Sequence, residues 1–388
     1  MVYSRLVVIL SLAMACGTAV SQTLKQAYRD YWRTSVSVNQ WQVEAERAGT
    51  PAFDITGRVS SDQTADWPVI VENFDWVVAE NCMKCEVIHP KEGVYDFTLA
   101  DRFVDKARAA GLKVLGHCLI WHSQCARWFH YDDDGNLVSP EVLKKRMKEH
   151  IYTVMNHFRG RVDAWDVVNE AFEDNGTPRK SLFYQILGSD YIPLAFQYAH
   201  EADPTVELYY NDYSMNRPEK VEGVCSFFKP LIEQGLPITA IGMQGHITLE
   251  DNKDGSVLKQ YEHSINTITA LGIPTFFSEL DLSVLPSPYG FSGANVSDRF
   301  KYRPEIDPYR DGLPKSMEKE VEAFWIDFFK MLLPHHKDIL RLGFWCVNDA
   351  CSWRNDFPIR GRKDYATLFD RQNNPKPFVK KLVELVNK

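Results

Sequence analysis

Short apolar runs rich in β-branched and aromatic residues alternate with longer segments of helical periodicity along most of the chain. The runs are bounded by polar or glycine-containing stretches, and the longer segments carry apolar residues every three or four positions. This pattern predicts eight strands, each followed by a helix. The predicted strands are 34–39, 76–80, 112–118, 162–168, 206–210, 238–243, 274–280 and 340–346. The predicted helices are 69–74, 98–110, 140–158, 181–202, 217–234, 256–271, 318–336 and 375–387.

Several helix boundaries are marked by residues that favour helix ends. Ser139-Pro140 provides the cap and the first-turn proline of a helix start, and Gly111 and Gly160 stand where two helices should end. Strands that alternate with helices form a parallel sheet, and eight such units close into a barrel. No linker rich in Pro or Ser divides the chain. The sequence therefore predicts an α/β fold, a single (β/α)8 TIM barrel domain over residues 22–388.

Two predicted connections are much longer than the others. Residues 40–68 follow the first strand, and residues 281–317 follow the seventh strand and are rich in Pro, Gly, Tyr and Asp. Long loops of this kind are usually functional or mobile. Because both follow strands, both are predicted at the C-terminal rim of the barrel, where enzymes with this architecture keep their active sites.

The composition is that of an ordinary soluble globular protein. The chain has 388 residues, of which 45% are hydrophobic and 25% charged, and its net charge is −8. A mildly acidic chain without a basic block has no electrostatic footprint for nucleic acid or an anionic membrane. We therefore expect no nucleic acid partner. We also expect no membrane span, because no apolar run is long enough to cross a bilayer. We expect the protein to be a monomer.

The N-terminus has the pattern of a secretory signal peptide over residues 1–21. Arg5 precedes an apolar run that ends near Ala15, and Ala19-Val20-Ser21 has the small residues of a cleavage site. A second reading is lipoprotein processing at Cys16, although Leu12 lies one position too far from that cysteine for a good match. We expect a secreted, periplasmic or cell-surface protein.

Removal of this leader leaves seven cysteines, and an odd number excludes complete pairing. Four of them could supply zinc ligands: Cys82, Cys85, Cys118 and Cys125. Their two pairs are far apart in sequence and the second pair is widely spaced, so buried thiols that pack as small apolar groups are the favoured interpretation. Cys346 and Cys351 flank a short loop and could form a local disulfide. We expect no metal and no cofactor.

Polar and aromatic residues stand at the C-terminal ends of seven predicted strands. One such group would be an ordinary strand end that meets water, but seven groups at one rim indicate a ligand site. The groups contain Glu80, Asn81, Lys84, His117, Trp121, His122, Gln124, Asn169, Glu170, Tyr210, Asn211, Asp212, Gln244, His246, Glu279, Asp281, Trp345, Trp353 and Arg354.

Two carboxylates within this set, Glu170 and Glu279, end the apolar fourth and seventh strands. These strands face each other across a closed barrel. Paired carboxylates across a pocket are the machinery of glycoside hydrolysis: one protonates the departing oxygen, and the other attacks the anomeric carbon or activates water. The surrounding residues fit this chemistry, because sugar rings stack on Trp and Tyr, and amides, His and Lys supply hydrogen-bond partners for hydroxyls.

The motifs at the strand ends resemble those of glycoside hydrolase family 10, the endo-β-1,4-xylanases. In chain order they read ENCMK, GHCLIWHSQ, WDVVNE, YNDY, MQGH, SELD and WCVND followed by SWR, and they cover about residues 34–385. The NE pair is shared by a wider clan of barrel glycosidases, whereas the complete series is specific. The resemblance implies hydrolysis of internal bonds in xylan and xylo-oligosaccharides, with retention of anomeric configuration.

The same resemblance implies a role for each matching residue. Glu170 is expected to be the general acid/base, Glu279 the nucleophile, and Asn169 the partner of the 2-hydroxyl of the sugar being cleaved. His246 should contact the nucleophile and be oriented by Asp281. The other expected sugar contacts are Glu80, Asn81, Lys84, His117, Trp121, Gln124, Gln244, His246, Trp345 and Trp353, with Tyr210 or Tyr213 stacking on the leaving side. Retention implies carboxyl groups roughly 5–5.5 Å apart.

The chain departs from the family pattern at two places besides its long connections. Cys85 stands where the family often has Trp, and residues 125–127 replace a common run that contains Leu-Pro. Neither departure touches the two glutamates. They leave open the number of sugar subsites and the tolerance of side-chain decorations on xylan.

Three other functions compete with the xylanase interpretation. A mannanase or cellulase of the same clan would generally lack the combination of Glu80, Asn81 and Lys84 with His117 and Trp121. A sugar-binding protein with an inactive site would not need both carboxylates. A metal-dependent barrel hydrolase could use three histidines as ligands, but no ligand carboxylate pattern accompanies them. Those histidines are His117, His122 and His246.

Overall fold

The computed structural model describes residues 22–44, 63–288 and 299–387. The predicted leader with Cys16, most of the first long connection and the middle of the second lie outside these residues. Nine strands are present in the described parts of the chain: Arg33–Val38 (β1), Trp76–Ala79 (β2), Lys113–Trp121 (β3), Ala164–Asn169 (β4), Glu207–Asp212 (β5), Ala240–Met243 (β6), His246–Thr248 (β7), Thr275–Ser283 (β8) and Ile339–Phe344 (β9).

These strands form a closed parallel barrel. The hydrogen-bonded order is β6-β5-β4-β3-β2-β1-β9-β8, and the additional pairing of β6 with β8 closes the circle. The strands are buried along nearly their whole length, as expected where a parallel sheet is covered by helices. The predicted (β/α)8 barrel is therefore confirmed.

One barrel position is divided between two strands, β6 and β7. Gln244 and Gly245 separate them, and Gly245 has a left-handed φ of 81°, which glycine adopts without a Cβ penalty. A Cβ at this position would lie only 2.7 Å from the side chain of Leu280. Beyond the break, β7 pairs with β8 so that His246 stands beside Asp281. The break between β6 and β7 thus places the side chains of His246 and Thr248 next to β8.

Helices follow the strands at the predicted places, but one predicted helix is divided and three short helices were not predicted. The described residues contain helices at Leu24–Ala27 (α1), Gln40–Val43 (α2), Trp67–Asn73 (α3), Cys85–Ile88 (α4), Thr98–Ala109 (α5), Pro140–His157 (α6), Leu182–Leu187 (α7), Tyr191–Ala202 (α8), Pro218–Glu233 (α9), Ser256–Thr269 (α10), Lys315–Leu332 (α11) and Pro377–Glu384 (α12). The short helices that were not predicted are α1, α2 and α4. The prediction of one helix over 181–202 was wrong, because Gly188 takes a positive φ and a short 3-10 turn separates α7 from α8. Among the described residues, no helix is long and apolar enough to cross a membrane.

A buried histidine pair joins the end of α4 to α6 and gives the fold a pH dependence. Nδ1 of His89 lies 3.1 Å from Nδ1 of His150, and both side chains are buried. Burial lowers the pKa of His89 to about 4 and that of His150 to about 3. Both histidines are therefore neutral at neutral pH, and one ring donates a hydrogen bond to the other.

The free energy of unfolding is expected to decrease as the pH falls below about 6.5, because the unfolded chain then binds protons that the folded pair excludes. The loss continues until the pH reaches the lowered pKa values near 4 and 3. Urea unfolding at several pH values measures it, with an expected loss on the order of 2 kcal/mol for each histidine by about pH 5. His150→Gln should weaken this dependence, whereas the exposed His263→Gln should not; equal slopes in both variants would contradict the assignment.

Candidate active site

A cavity of about 360 Å³ opens where the barrel strands end. Its walls bring together most of the residues that the sequence singled out. The predicted site residues that line it are Glu80, Asn81, Lys84, His117, Trp121, Asn169, Glu170, Tyr213, Gln244, His246, Glu279, Trp345, Trp353 and Arg354, and they are joined by Ser214, Arg217, Thr248, Asp251, Ser287 and Phe357. The cavity therefore draws on nearly every strand of the barrel, as expected for an active site in this fold.

Glu170 follows the last residue of β4 and is held by neutral donors. Its Oε2 accepts a hydrogen bond from the indole N–H of Trp121 at 2.8 Å, and its Oε1 accepts one from the amide of Gln244, also at 2.8 Å. Its backbone N–H donates to the carbonyl oxygen of Asn211 at 2.9 Å. The residue has a φ of 56°, in the left-handed region that residues other than glycine rarely adopt. This turn of the backbone sets the direction of the carboxyl group.

Glu279 lies within β8 and is held by a different set of groups. Its Oε1 accepts from Nδ2 of Asn211 at 2.9 Å, and its Oε2 lies 3.1 Å from Nε2 of His246. Burial raises the pKa of this carboxyl group, but the hydrogen bond and the positive charge of His246, together with His117 and Lys84, outweigh burial and hold the pKa below its usual value. Glu279 is therefore ionised at neutral pH.

His246 is the cation that faces this carboxylate. Burial lowers the pKa of the imidazole, but the charge and hydrogen bond of Asp281 and the neighbouring Glu279 raise it to about 9. Nδ1 of His246 lies 2.9 Å from Oδ2 of Asp281. A protonated ring donates from both nitrogens, so His246 bridges the two carboxylates.

Asp281 is fully buried and fixes the other end of this bridge. Its Oδ1 accepts from Nε and Nη2 of Arg354 at 3.1 and 2.8 Å, and its Oδ2 accepts from the indole of Trp353 at 2.8 Å. Burial raises the pKa of this aspartate, but Arg354 and His246 outweigh it and lower the pKa to about 2. Positive and negative charges thus alternate along a row of four side chains: Arg354, Asp281, His246 and Glu279.

Asn169 and Asn211 connect the two glutamates. Nδ2 of Asn211 donates to Oδ1 of Asn169 at 3.2 Å as well as to Glu279, and its own Oδ1 accepts from Ser278 at 2.7 Å. Asn211 is fully buried and does not line the cavity, yet it orients a side chain on each side. The arrangement contains two buried carboxyl groups in one sugar-sized cavity, one among neutral donors and the other beside a cation.

Comparisons with known proteins agree on one family. A family model described as "Glycosyl hydrolase family 10" matches residues 45–385. The chain belongs to glycosyl hydrolase family 10. An endo-1,4-beta-xylanase A of Xylanibacter ruminicola is 44% identical over 81% of this chain and 85% of its own length. An endo-1,4-beta-xylanase of Geobacillus stearothermophilus is 32% identical over 94% of this chain and 98% of its own.

Solved structures of the same family share the fold. A family 10 endoxylanase from a sugarcane soil metagenome superposes with a TM-score of 0.84 at 37% identity, over 93% of this chain and 99% of that one. The xylanase XynB of Paenibacillus barcinonensis gives a TM-score of 0.78 at 30% identity, over 94% of this chain and 98% of that one. Membership of family 10 makes the chain a glycoside hydrolase, in agreement with the resemblance seen in its motifs.

In this family 10 chain, Lys84 lies at the centre of a polar group on the β2 and β3 side of the cavity. Its Nζ donates to Oδ1 of Asn81 at 3.1 Å and to Oε1 of Gln124 at 2.8 Å. Burial lowers the pKa of Lys84, against the effect of nearby Glu80 and other acidic groups. Gln124 also donates to Asn81 at 3.2 Å but does not line the cavity. It therefore supports Asn81 and Lys84 from behind, rather than facing a sugar as predicted.

Two other predicted sugar contacts, Trp121 and Gln244, also form hydrogen bonds with Glu170. Trp121 and Gln244 line the cavity, as expected, but each also donates to a carboxylate oxygen of Glu170. The motif positions alone gave no signal for these contacts, because the three residues are far apart in the sequence. Both residues thus orient the predicted acid as well as forming the wall.

Aromatic rings close the side of the cavity next to β9. The ring centre of Trp345 lies 5.8 Å from that of His117, and His117 is in turn bonded at 2.8 Å to Asp166 on β4. Trp353 stacks on Phe357 at 5.0 Å. The two tryptophans therefore line the cavity as predicted, and the ring of Phe357 supports the second.

The prediction that Tyr210 stacks on a sugar was wrong. This side chain is fully buried, its hydroxyl bonds to Asp212, and its ring packs 5.0 Å from Phe228 on α9. Successive residues of a strand point to opposite faces, so Tyr210 faces the helices while Asn211 faces the barrel interior. The alternative named with it, Tyr213, does line the cavity.

The described cysteines form neither the zinc site nor the disulfide that the sequence left open. Among residues 22–44, 63–288 and 299–387, no group of three or more His, Cys, Asp or Glu side chains could hold a metal ion. Cys85 and Cys125 are thiols with their sulfur atoms 3.8 Å apart. The thiol of Cys346 donates to the carbonyl oxygen of Cys351 at 3.1 Å, so the local disulfide that these two residues could form is not present.

Proposed function

We propose that this family 10 enzyme is an endo-1,4-β-xylanase that cleaves internal β-1,4-xylosidic bonds of xylan and xylo-oligosaccharides by a retaining double displacement. The observation that carries the mechanism is the unequal setting of the two carboxyl groups. Glu279 is kept ionised beside the His246 cation, as a nucleophile requires. Glu170 is held by the neutral donors Trp121 and Gln244, as suits a group that gives and takes a proton.

In the first step, Glu279 attacks the anomeric carbon while Glu170 gives its proton to the departing glycosidic oxygen. The bond from the anomeric carbon to that oxygen breaks, and an ester bond to Glu279 forms. Asn169, whose Oδ1 accepts a hydrogen bond from Asn211, would bond the 2-hydroxyl of the same sugar. Such a contact accelerates the step where it strengthens in the transition state.

In the second step, water attacks the anomeric carbon from the side of Glu170, which now removes a proton from it. The ester to Glu279 breaks, and the second inversion restores the original configuration. His246 and Asp281 keep the released carboxylate in its ionised form. The predicted spacing of roughly 5–5.5 Å between the carboxyl groups belongs to this proposal.

Sugar units on the non-reducing side would occupy the wall formed by Glu80, Asn81 and Lys84, and the leaving side would face Tyr213. The names of the relatives support xylan as the polymer, since both curated relatives described above are endo-1,4-beta-xylanases. An open cavity between two such walls suits cleavage within a chain rather than at its end.

The test compares hydrolysis of xylan, mannan and carboxymethylcellulose, followed by NMR of the first product formed from a xylo-oligosaccharide. We expect xylan to be cleaved to a mixture of oligosaccharides, with the β-anomer appearing before mutarotation produces the α-anomer. Activity on mannan alone would contradict the substrate, and an initial α-anomer would contradict retention.

We also propose export of the mature chain as a monomer, through a signal peptide over residues 1–21. Mass spectrometry of protein from a secreting host tests this, with an N-terminus after Ser21 as the expected result. A lipid-modified Cys16 would instead favour anchoring, and an intact Met1 would contradict the leader. Size-exclusion chromatography with light scattering tests the monomer, which a dimeric mass would exclude.

A further inference from the structure

We propose that Arg179 is a positioning residue that holds the acid/base Glu170 and the leaving-side residue Tyr213 as one rigid unit. This inference rests on the role proposed above for Glu170. Nε of Arg179 donates to the backbone carbonyl oxygen of Glu170 at 3.0 Å. Its Nη2 donates to the carbonyl oxygen of Phe172 at 3.2 Å and also bonds the hydroxyl group of Tyr213.

Glu170 needs such support because of its backbone. A left-handed φ brings the Cβ of an L-residue close to its own backbone, so the conformation persists only where the surroundings impose it. The N–H of Glu170 is fixed by Asn211, and its carbonyl oxygen is fixed by Arg179. If the guanidinium were lost, the peptide after Glu170 could rotate. The carboxyl group would then move away from Trp121 and Gln244.

Nη2 of Arg179 bonds to Tyr213, on the leaving side of the cavity. Tyr213 lines the cavity, and the ammonium of Lys220 lies 3.7 Å from the centre of its ring. Lys220 is itself bonded to Asp212 at 2.7 Å in a fully buried pair. The face of Tyr213 is therefore fixed by Lys220 and its hydroxyl by Arg179. One planar group thus sets the distance between the proton donor and the residue beside the departing sugar.

The contacts indicate that Arg179 acts through geometry rather than charge. The guanidinium donates to two backbone carbonyls and a hydroxyl group and pairs with Glu173, and none of these contacts reaches the carboxylate of Glu170. A planar fork with several fixed donors can serve such a set of acceptors, whereas the single ammonium of lysine cannot. Arg179→Lys, which retains the charge, is therefore the informative variant.

Arg146 provides a matched control for a purely structural role. Its side chain is 10% exposed, against 11% for Arg179, and each makes an ion pair with a glutamate. Nη1 of Arg146 donates to the carbonyl oxygens of Trp128 and Tyr131. It therefore also holds two backbone carbonyls, but it does not line the active-site cavity. Loss of Arg146 measures what removal of a buried structural arginine does.

The experiment uses two aryl β-xylobiosides that differ in the need for protonation. A 2,4-dinitrophenolate leaves without a proton, whereas a phenolate leaves far more easily when an acid donates one. The kcat/KM is compared because it reports the first step. Arg179→Met is expected to lower kcat/KM for the phenyl substrate by roughly 10–100-fold and for the dinitrophenyl substrate by less than about 3-fold. Arg179→Lys should show the same selectivity.

The controls separate the possible explanations. Arg146→Met is expected to lower the thermal midpoint and to leave the ratio of the two kcat/KM values unchanged. Equal losses on both substrates in Arg179→Met would overturn the inference, and wild-type behaviour of Arg179→Lys would do so too, because charge would then suffice. If Arg179→Met does not fold, Arg179→Lys decides alone. Glu170→Ala is the reference variant. If it lowers kcat/KM equally for the phenyl and the dinitrophenyl substrate, the proposed role of Glu170 as the acid is wrong.

Discussion

Replacement of Glu279 by alanine is expected to lower hydrolysis of xylan by roughly 10⁴–10⁶-fold, because the reaction loses its nucleophile. Neither Glu170 nor Asp281 is free to take its place. Glu170 is bonded to Trp121 and Gln244, and Asp281 is fully buried behind His246. The measurement is the initial rate of reducing-end formation, after circular dichroism has shown that the variant is folded.

A matched control removes a carboxylate that is near the cavity but outside it. Glu86 directly follows Cys85 in α4 and does not line the cavity, so Glu86→Ala should keep activity within a few-fold of the wild type. Activity of Glu279→Ala above about one percent of the wild-type rate would contradict the assignment of Glu279 as the nucleophile.

Azide gives a second, stereochemical readout of the same variant. The small anion can occupy the space that the Glu279 carboxylate leaves and attack the anomeric carbon from that face of an activated aryl β-xylobioside. A single displacement inverts configuration, so the expected product is the α-glycosyl azide. A β-glycosyl azide would place the nucleophile elsewhere.

The hydrophobic pattern was sufficient to predict the barrel, because the periodicity of strands and helices is a local property of the sequence. It was less accurate at the strand ends. β3 extends to Trp121, β5 to Asp212 and β8 to Ser283, each two or three residues beyond the prediction. All of these extra residues are buried. In β5 and β8 they include Asn211, Asp212 and Asp281, and polar residues after an apolar run resemble a loop. Trp121 and Glu279 thus lie within strands, whereas Glu170 directly follows one.

Strand alternation contained information that the motif reading did not use. Tyr210 and Asn211 are adjacent in β5, so only one of them can face the interior. The tyrosine was chosen because aromatic rings bind sugars, but the strand presents Asn211, which bonds to Glu279 and Asn169. Counting inward positions from the buried strand would have identified Asn211 from the sequence.

Contacts between distant segments could not be predicted in this way. The support of Lys84 by Gln124 and the bonds from Arg179 to the backbone of Glu170 depend on loop geometry. Nothing in the residue types at these positions distinguishes a supporting amide or guanidinium from one that faces a sugar. The sequence therefore predicts the chemical groups at the strand ends, and the fold decides which of them hold the others in place.

Replacement of Glu170 by alanine is expected to lower hydrolysis of xylan by at least about 10³-fold, since a sugar alcohol leaves poorly without a proton. With 2,4-dinitrophenyl β-xylobioside the first step needs no acid, so kcat/KM should change by less than about 10-fold. The second step still lacks its base. The glycosyl ester on Glu279 should therefore accumulate, and a burst of dinitrophenolate should precede slow turnover.

The product formed with azide would distinguish the two glutamates by the face of the sugar that each one approaches. In Glu170→Ala the ester to Glu279 forms first, so azide attacks from the opposite face, where Glu170 normally activates water. Two inversions give the β-glycosyl azide, with faster turnover as azide is added. Glu279→Ala should give the α-product instead. The same anomer from both variants would contradict this division of roles, because carboxyl groups on opposite faces of one sugar cannot be replaced by azide with the same stereochemical outcome.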